Sequence, residues 1–374
     1  MHVLISALHR PVKPTGVCRH AVNLAQCLAY TAHVSQVTLL IGKWQEGYFN
    51  RDFNLKSSKI KLLSVDIPNT SLSRNYWFIF GLPKIAHQVN PDIIHMSFPV
   101  PFLQRWFEVP VVATIHDLYP YECPENFGYP QAWFNQLFLQ QCINQSDGLA
   151  CVSKCTLGTL VEHFPFIKNN KLTAVIYNIV DFYSVNPKIP EELGNTFSRP
   201  FLLTVAQHRK NKNLDLLIQA YHALLQENRL EPYTELFLVG SQGPETTALE
   251  NLIKSLGLSK QVRFLSGLED TELCWLYENA STFIIPSSSE GFCLPLIEAL
   301  NLGCPVVCSD IPIFREVGSS QCRYFELSAN ACRNMAEAIE YQFHQKTVSN
   351  SLTENQFSKK TISKQLLNFY ESLA

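Results

Sequence analysis

Two glutamates eight residues apart, Glu290 and Glu298, bracket the stretch of this chain best suited to chemistry, the run PSSSEGFCLPLIEALNLGCPVVCSD from Pro286 to Asp310. Glu290 lies in a Ser/Gly-rich loop, Gly291 lets that loop turn, and a helix is entered through Leu294, Pro295 and Leu296. Proline suits a first helical turn, where its missing N–H would be unpaired anyway. The amides of Phe292, Cys293 and Leu294 therefore point out of the helix start, as an anion site requires. A phosphate held there would have one carboxylate at each flank. The two carboxylates are far enough apart to hold different parts of one long ligand, and the arrangement reads as a nucleotide-sugar site.

A cationic loop is the natural complement. In TVAQHRKNKNLDLLIQAYHAL (Thr204–Leu224) a strand ends, Arg209, Lys210 and Lys212 follow, and a helix begins with Leu214, Leu217, Ile218 and Tyr221 on one face. Preorganised cations stabilise the charge that grows on a departing diphosphate without a metal ion. The chain has no Asp-x-Asp sequence to bind a divalent cation, so no metal site and no cofactor are expected. His116, in ATIHDLYP, directly follows another strand. Gly16, in PVKPTGVCRH, lies between the first strand and the first helix, where glycine lets backbone come close to a ligand. One turn further on, Arg19 and His20 are expected to reach toward an acceptor.

The elements that must position these groups follow from the apolar pattern. Short apolar strands alternate with amphipathic helices, which implies parallel sheets covered on both faces. Strands are expected at Val3–Leu8, Val37–Ile41, Ile60–Val65, Ile93–Met96, Val111–Ile115 and Gly148–Val152. A polar, proline-bearing stretch from Ser184 to Arg199 then reads as an inter-domain linker. The pattern restarts with strands at Phe201–Val205, Glu235–Val239, Val262–Leu265, Thr282–Ile285 and Val306–Cys308. At 374 residues a single core is not expected, since chains beyond about 250–300 residues divide into domains. A formal charge of −2 argues against nucleic-acid binding. The twelve cysteines show neither CxxC pairs nor metal-type spacing and read as small buried hydrophobes of a reducing compartment. The first apolar run is too short for a signal peptide, and none approaches the ~18 apolar residues of a membrane span. A cytoplasmic protein is expected, at most placed at the inner face of the membrane.

The Pro286–Asp310 segment resembles the glutamate–seven residues–glutamate signature of retaining glycosyltransferases of family four, EGFGLPxxEAMAxGxPVIxS. Both glutamates, Gly291, Pro295, Gly303 and Pro305 are in place. Cys293 stands where the family has its second glycine, and Ala299–Leu300 replaces Ala-Met. The whole loop–helix–turn–strand unit matches, which counts against a plain helix carrying two solvated glutamates. Thr204–Leu224 resembles the family's strand–basic loop–helix element, with Lys212 on its pyrophosphate-binding lysine. Gln207 stands at the usual arginine, which leaves Arg209, or next Lys210, as its substitute. His116 with Asp117 resembles the family's strand-end His-Asp pair beside the donor sugar, and Gly16 its N-terminal glycine loop. Asn178 in YNIVD resembles the PNGVD turn at the interdomain hinge, with Ile179 in place of glycine, and is read as structural. Gly240 and the region Arg263–Gly267 fall where the family wraps the nucleotide base and diphosphate.

What the resemblance implies is an α/β protein of GT-B architecture. Two doubly wound, Rossmann-like domains would face each other across a cleft, with the last helix, Thr361–Leu373, crossing back to the first domain. Residues 1–183 with 355–374 would form the acceptor side and 184–354 the donor-binding side. It further implies metal-free, front-side transfer with retention, from a UDP-glucose-like donor to a saccharide or lipid-linked saccharide acceptor. Glu290 would hold sugar hydroxyls, Glu298 the ribose, Arg209 and Lys212 the diphosphate, while His116 lines the sugar pocket. A glycoside hydrolase using the two glutamates as its acid pair is disfavoured, because eight helical residues span about 12 Å. A dinucleotide-dependent dehydrogenase would need GxGxxG after Val3–Leu8 or Phe201–Val205, and neither has it. A sugar-nucleotide-binding protein with a relic site is the remaining alternative. Aromatic clusters at 76–80, 98–107 and 127–138 suit either core packing or weak association with a membrane surface.

Overall fold

The computed structural model describes residues 1–11, 13, 15–53, 55–179, 186–194, 196–345 and 356–373. The chain divides into two compact units, Met1–Ile179 with Glu354–Ala374, and Val180–Thr353. The expected junctions at 183/184 and 354/355, and residues 180–181 of the expected hinge turn, lie outside the described residues.

The first unit holds seven strands: β1 (His2–Ser6), β2 (Gln36–Gly42), β3 (Ile60–Val65), β4 (Ile93–Met96), β5 (Val111–Ile115), β6 (Gly148–Cys151) and β7 (Leu172–Val175). They form one parallel sheet in the order β3-β2-β1-β4-β5-β6-β7. The second unit holds β8 (Phe201–Val205), β9 (Glu235–Val239), β10 (Val262–Leu265), β11 (Thr282–Ile285), β12 (Val306–Ser309) and β13 (Cys322–Phe325). Its parallel sheet runs β10-β9-β8-β11-β12-β13. Each order reverses once, between β1 and β4 and between β8 and β11, the doubly wound pattern whose ligands sit beyond the strands' carboxyl ends at the reversal.

Both cores arise from strands buried on two faces. β5 and β9 are buried along their whole length, so they read in the sequence as short runs that are apolar except for Thr114 and Glu235. β7 and β13 have no counterpart among the expected strands. Both are sheet edges, and their residues, LTAV and CRYF, are mostly only partly buried, so no continuous apolar run marks them. The final helix, Lys359–Glu371, packs on the helix Gly16–Ala29 of the first unit, as expected, and Ser363 donates to the carbonyl of Cys27 at 2.7 Å.

The aromatic clusters split between two roles. Phe78, Phe102 and Phe107 are buried in the first core. Tyr76, Phe80 and Trp106 remain exposed, their rings in sequence at 4.6 and 5.3 Å, and Tyr129, Trp133 and Phe134 are exposed as well. Among the described residues no helix is long and apolar enough to cross a membrane.

Candidate donor site

The cationic and acidic loops are brought together by the strand order. The loop 206–213 follows β8 and the loop 286–293 follows β11. These strands are hydrogen-bonded neighbours, Leu202 opposite Thr282 and Leu203 opposite Phe283, although some 80 residues apart in the chain. Two asparagines join the loops. Buried Asn211 donates from Nδ2 to the Ser289 carbonyl at 3.1 Å, and its own carbonyl accepts from the Ser288 amide at 2.9 Å. Asn213, in left-handed backbone (φ 47°), donates to the Pro286 carbonyl at 2.8 Å. Ser309, at the end of β12, donates to the Ser287 carbonyl.

This framework sets Lys212 against Glu290, with Nζ 2.6 Å from Oε1 and side chains only 13% and 11% exposed. Ser287 Oγ donates to the same oxygen at 2.8 Å. The sequence reading gave the two residues separate duties. In the structure they form one unit, because two opposite charges this far out of water hold each other and leaving either alone is costly. Arg209 lies three residues before Lys212 on the same loop, partly buried and with extended backbone (φ −122°), whereas Lys210 is exposed.

The helix Leu294–Asn301 starts as expected, with Pro295 in its first turn. Cys293 caps it in left-handed backbone (φ 67°, ψ 75°), a conformation in which an L side chain is strained and glycine is not. That strain explains physically why glycine suits this position. Phe292 is buried, and Gly291 and Leu294 are partly so. Burial, and then the charge of Glu290, pushes the Cys293 thiol well above its usual range. Glu298 is not a solvated helix residue. It is 8% exposed, and Oε2 accepts from the Tyr277 hydroxyl at 2.9 Å. Tyr277 comes from the helix Asp270–Asn279 and no motif in the sequence singles it out.

Two residues expected at the nucleotide have structural partners of their own. Arg263 ion-pairs with Glu235, Nε to Oε2 at 2.6 Å, and Arg199 reaches the same carboxylate at 3.1 Å. Glu235 is the first residue of β9, so its carboxylate, 1% exposed, draws Arg263 to the amino-terminal edge of the sheet, away from the ligand edge. Gly240 has φ 154°, and a Cβ there would lie 2.0 Å from the Ala206 carbonyl oxygen. Its glycine is required by the close approach of the loops after β9 and β8, with or without a ligand.

In the first unit, His116 follows β5, and its Nε2–H donates to the Ser97 carbonyl at 2.7 Å, so a neutral ring leaves Nδ1 as its acceptor. Burial lowers its pKa below the ordinary value. Its ring meets that of His20 edge-on, centroids 4.7 Å apart. His20 does not reach toward an acceptor. It is buried, with Nδ1 2.5 Å from Asn178 Oδ1 and Nε2 3.0 Å from Thr114 Oγ1. Thr114 Oγ1 also lies 2.7 Å from His95 Nε2, and His95 Nδ1 bonds the Tyr370 hydroxyl. An amide oxygen only accepts, which fixes the direction throughout. Tyr370 donates to His95, His95 to Thr114, Thr114 to His20, and His20 to Asn178, with both histidines neutral. The chain ties the final helix to β4, β5, the first helix and the structural Asn178. Gly16 opens that first helix, exposed, behind Thr15, whose hydroxyl accepts from the Cys18 amide at 3.4 Å.

Comparison with known proteins agrees with this geometry. Residues 14–182 match the family described as Glycosyltransferase Family 4, and residues 185–359 match Glycosyl transferases group 1. The O-antigen chain mannosyltransferase B of Escherichia coli is 28% identical over 212 residues, 55% of this chain and 54% of that protein. The chain thus spans about half the length of that relative. The O-antigen chain mannosyltransferase RfbU of Salmonella typhimurium is 26% identical over 312 residues, 81% of this chain and 80% of that one. Among solved structures, WaaG, a glycosyltransferase involved in lipopolysaccharide biosynthesis, superposes with TM-score 0.69 at 16% identity, covering 99% and 95% of the two chains. Anabaena Alr3699/HepE in complex with UDP and glucose gives 0.67 at 16% identity, covering 100% and 95%. The structural likenesses carry the GT-B fold alone, while the two matches divide nearly the whole chain between them. The chain belongs to the group 1 glycosyltransferases of family four.

Proposed function

We propose that this protein transfers a hexose, with retention of configuration, from a nucleoside-diphosphate sugar to a saccharide or lipid-linked saccharide acceptor in polysaccharide or glycolipid synthesis. The observation that carries the reading is the shielded Lys212–Glu290 pair beyond the carboxyl ends of β8 and β11. Cation and carboxylate are the two groups needed at the joint between a diphosphate and a sugar. In this reading an arriving diphosphate draws Lys212, with Arg209, toward its developing charge and releases Glu290 to accept from sugar hydroxyls. The amides of Phe292, Cys293 and Leu294 face the phosphate, Glu298 holds the ribose, and His116, neutral near pH 7, lines the sugar pocket. The leaving phosphate accepts the proton of the incoming hydroxyl, so no metal and no protein nucleophile is assigned.

The donor is taken as UDP-glucose or a close relative, a choice supported by the UDP and glucose seen with Alr3699/HepE. The curated relatives named above are mannosyltransferases, which favours a mannosyl donor as the second reading. The exposed rings of Tyr76, Phe80 and Trp106 support work at the inner face of a membrane, where lipid-linked acceptors lie. The test is turnover by purified protein, in EDTA, of UDP-glucose and of a nucleotide-linked mannose, with the first-formed product followed by proton NMR. Retained configuration without added metal is expected. An inverted anomer, or activity that returns only with magnesium or manganese, refutes the mechanism. Preference for the mannosyl donor overturns only the donor assignment.

A further inference from the structure

The hydroxyl of Tyr277 has no duty in the transfer as described, yet it occupies a fully buried position and donates to Glu298 Oε2 at 2.9 Å. The ring is fixed on its own account, packed edge-on against Phe283 of β11 with centroids 5.2 Å apart. Two effects hold the phenol in its neutral, donating form. Burial raises its pKa well above the ordinary value, and the adjacent Glu298 carboxylate raises it further. A neutral phenol on a ring fixed by packing supplies a directional donor to one oxygen of the carboxylate, and so restrains the orientation of that carboxylate.

We propose that Tyr277 is the positioning residue for the nucleotide end of the donor. It holds Glu298 in the one orientation from which the carboxylate receives the ribose hydroxyls. The proposal rests on the reading that Glu298 binds ribose. Its consequence is specific to the sugar ring of the nucleotide. Losing the hydroxyl of Tyr277 weakens only the part of binding that the ribose hydroxyls supply, and leaves phosphate contacts and the chemical step alone.

The experiment compares wild type, Tyr277→Phe, Glu298→Gln and the double variant by calorimetric titration. The probes are UDP and 2′,3′-dideoxy-UDP, with GDP and its dideoxy analogue as a second pair. Wild type is expected to bind the ribonucleotide more tightly than the dideoxy form. Tyr277→Phe is expected to cut that preference by about tenfold, the scale of one hydrogen bond to a charged group. Its affinity for the dideoxy form and its kcat at saturating donor stay within about twofold of wild type. In the Glu298→Gln background the tyrosine substitution is expected to add nothing, since there is no carboxylate left to orient. An intact ribose preference in Tyr277→Phe, with Glu298→Gln having lost it, overturns the proposal while the Glu298 reading stands. An intact preference in Glu298→Gln, or no binding of either nucleotide pair, overturns the Glu298 reading and the proposal with it. Equal weakening of ribo and dideoxy forms in Tyr277→Phe marks a merely structural tyrosine and also overturns it.

Discussion

Acid should destabilise the first unit through its buried histidine chain, and His95 allows the size of the effect to be worked out. Burial, assisted by His116, lowers the His95 pKa from the ordinary 6.5 to about 3. In the unfolded chain the ring takes up a proton near 6.5, whereas in the fold it does so only near 3, so protons favour the unfolded state. Stability that is fully present above pH 6.5 is therefore lost progressively as pH falls toward 3. For one such group, proton linkage gives a loss of about 2 kcal/mol between pH 7 and pH 5. His20 is shifted in the same direction by burial and adds to it. The assay is urea unfolding at pH 7 and pH 5, followed by tryptophan fluorescence. Of the five tryptophans, Trp44, Trp77, Trp106 and Trp133 lie in this unit. His95→Gln keeps a side chain able to donate to Thr114 and accept from Tyr370, but it cannot titrate. Its stability should fall between the two pH values by about 2 kcal/mol less than that of wild type. The same fall in both proteins would refute the neutral chain.

Three further outcomes follow from the second unit. Lys212→Ala and Glu290→Ala should each lower kcat/KM by about 10²-fold or more, while the double variant loses far less than the product of the two. Independent, multiplying losses in steady-state kinetics would deny that the pair acts as one unit. Gly240→Ala should destabilise the second unit by more than about 3 kcal/mol in urea unfolding, because backbone strain and a clash with the Ala206 carbonyl coincide. A wild-type unfolding midpoint would count against the observed loop packing. Arg263→Ala should cost about 1–3 kcal/mol of stability, with Arg199 still partnering Glu235, and leave donor KM within about twofold. A large rise in donor KM at unchanged stability would return Arg263 to the binding site.

The sequence alone determined the architecture and pointed to the segments of the candidate site. Central parallel strands are buried on both faces, so β5 or β9 is legible as a mostly apolar run in its own residues, and the doubly wound pattern follows from repetition. The edges β7 and β13 bury too little to leave that mark. Glu290, the helix start through Pro295, and Lys212 are local features, each set by a loop or cap within a few residues of itself. Even the departure at Cys293 could be located, although its physical meaning, a left-handed cap, appears only in the backbone.

What the tertiary structure decided is which of these groups touch. Lys212 and Glu290 are 78 residues apart, and Asn211 and Asn213 bind loops just as distant, because β8 and β11 become neighbours only at the sheet's reversal. The side chain of Arg263 meets Glu235, 28 residues away, near the amino-terminal ends of the strands, a pairing that no local pattern announces. The chain from Tyr370 through His95 and His20 to Asn178 joins groups as much as 275 residues apart, and the Tyr277–Glu298 bond joins two helices. A periodic apolar pattern records how much of each residue is buried, which the local sequence can encode. It carries no record of which buried donor meets which acceptor. That pairing is fixed when the sheets close and every polar group taken out of water has to find a partner within about 3 Å.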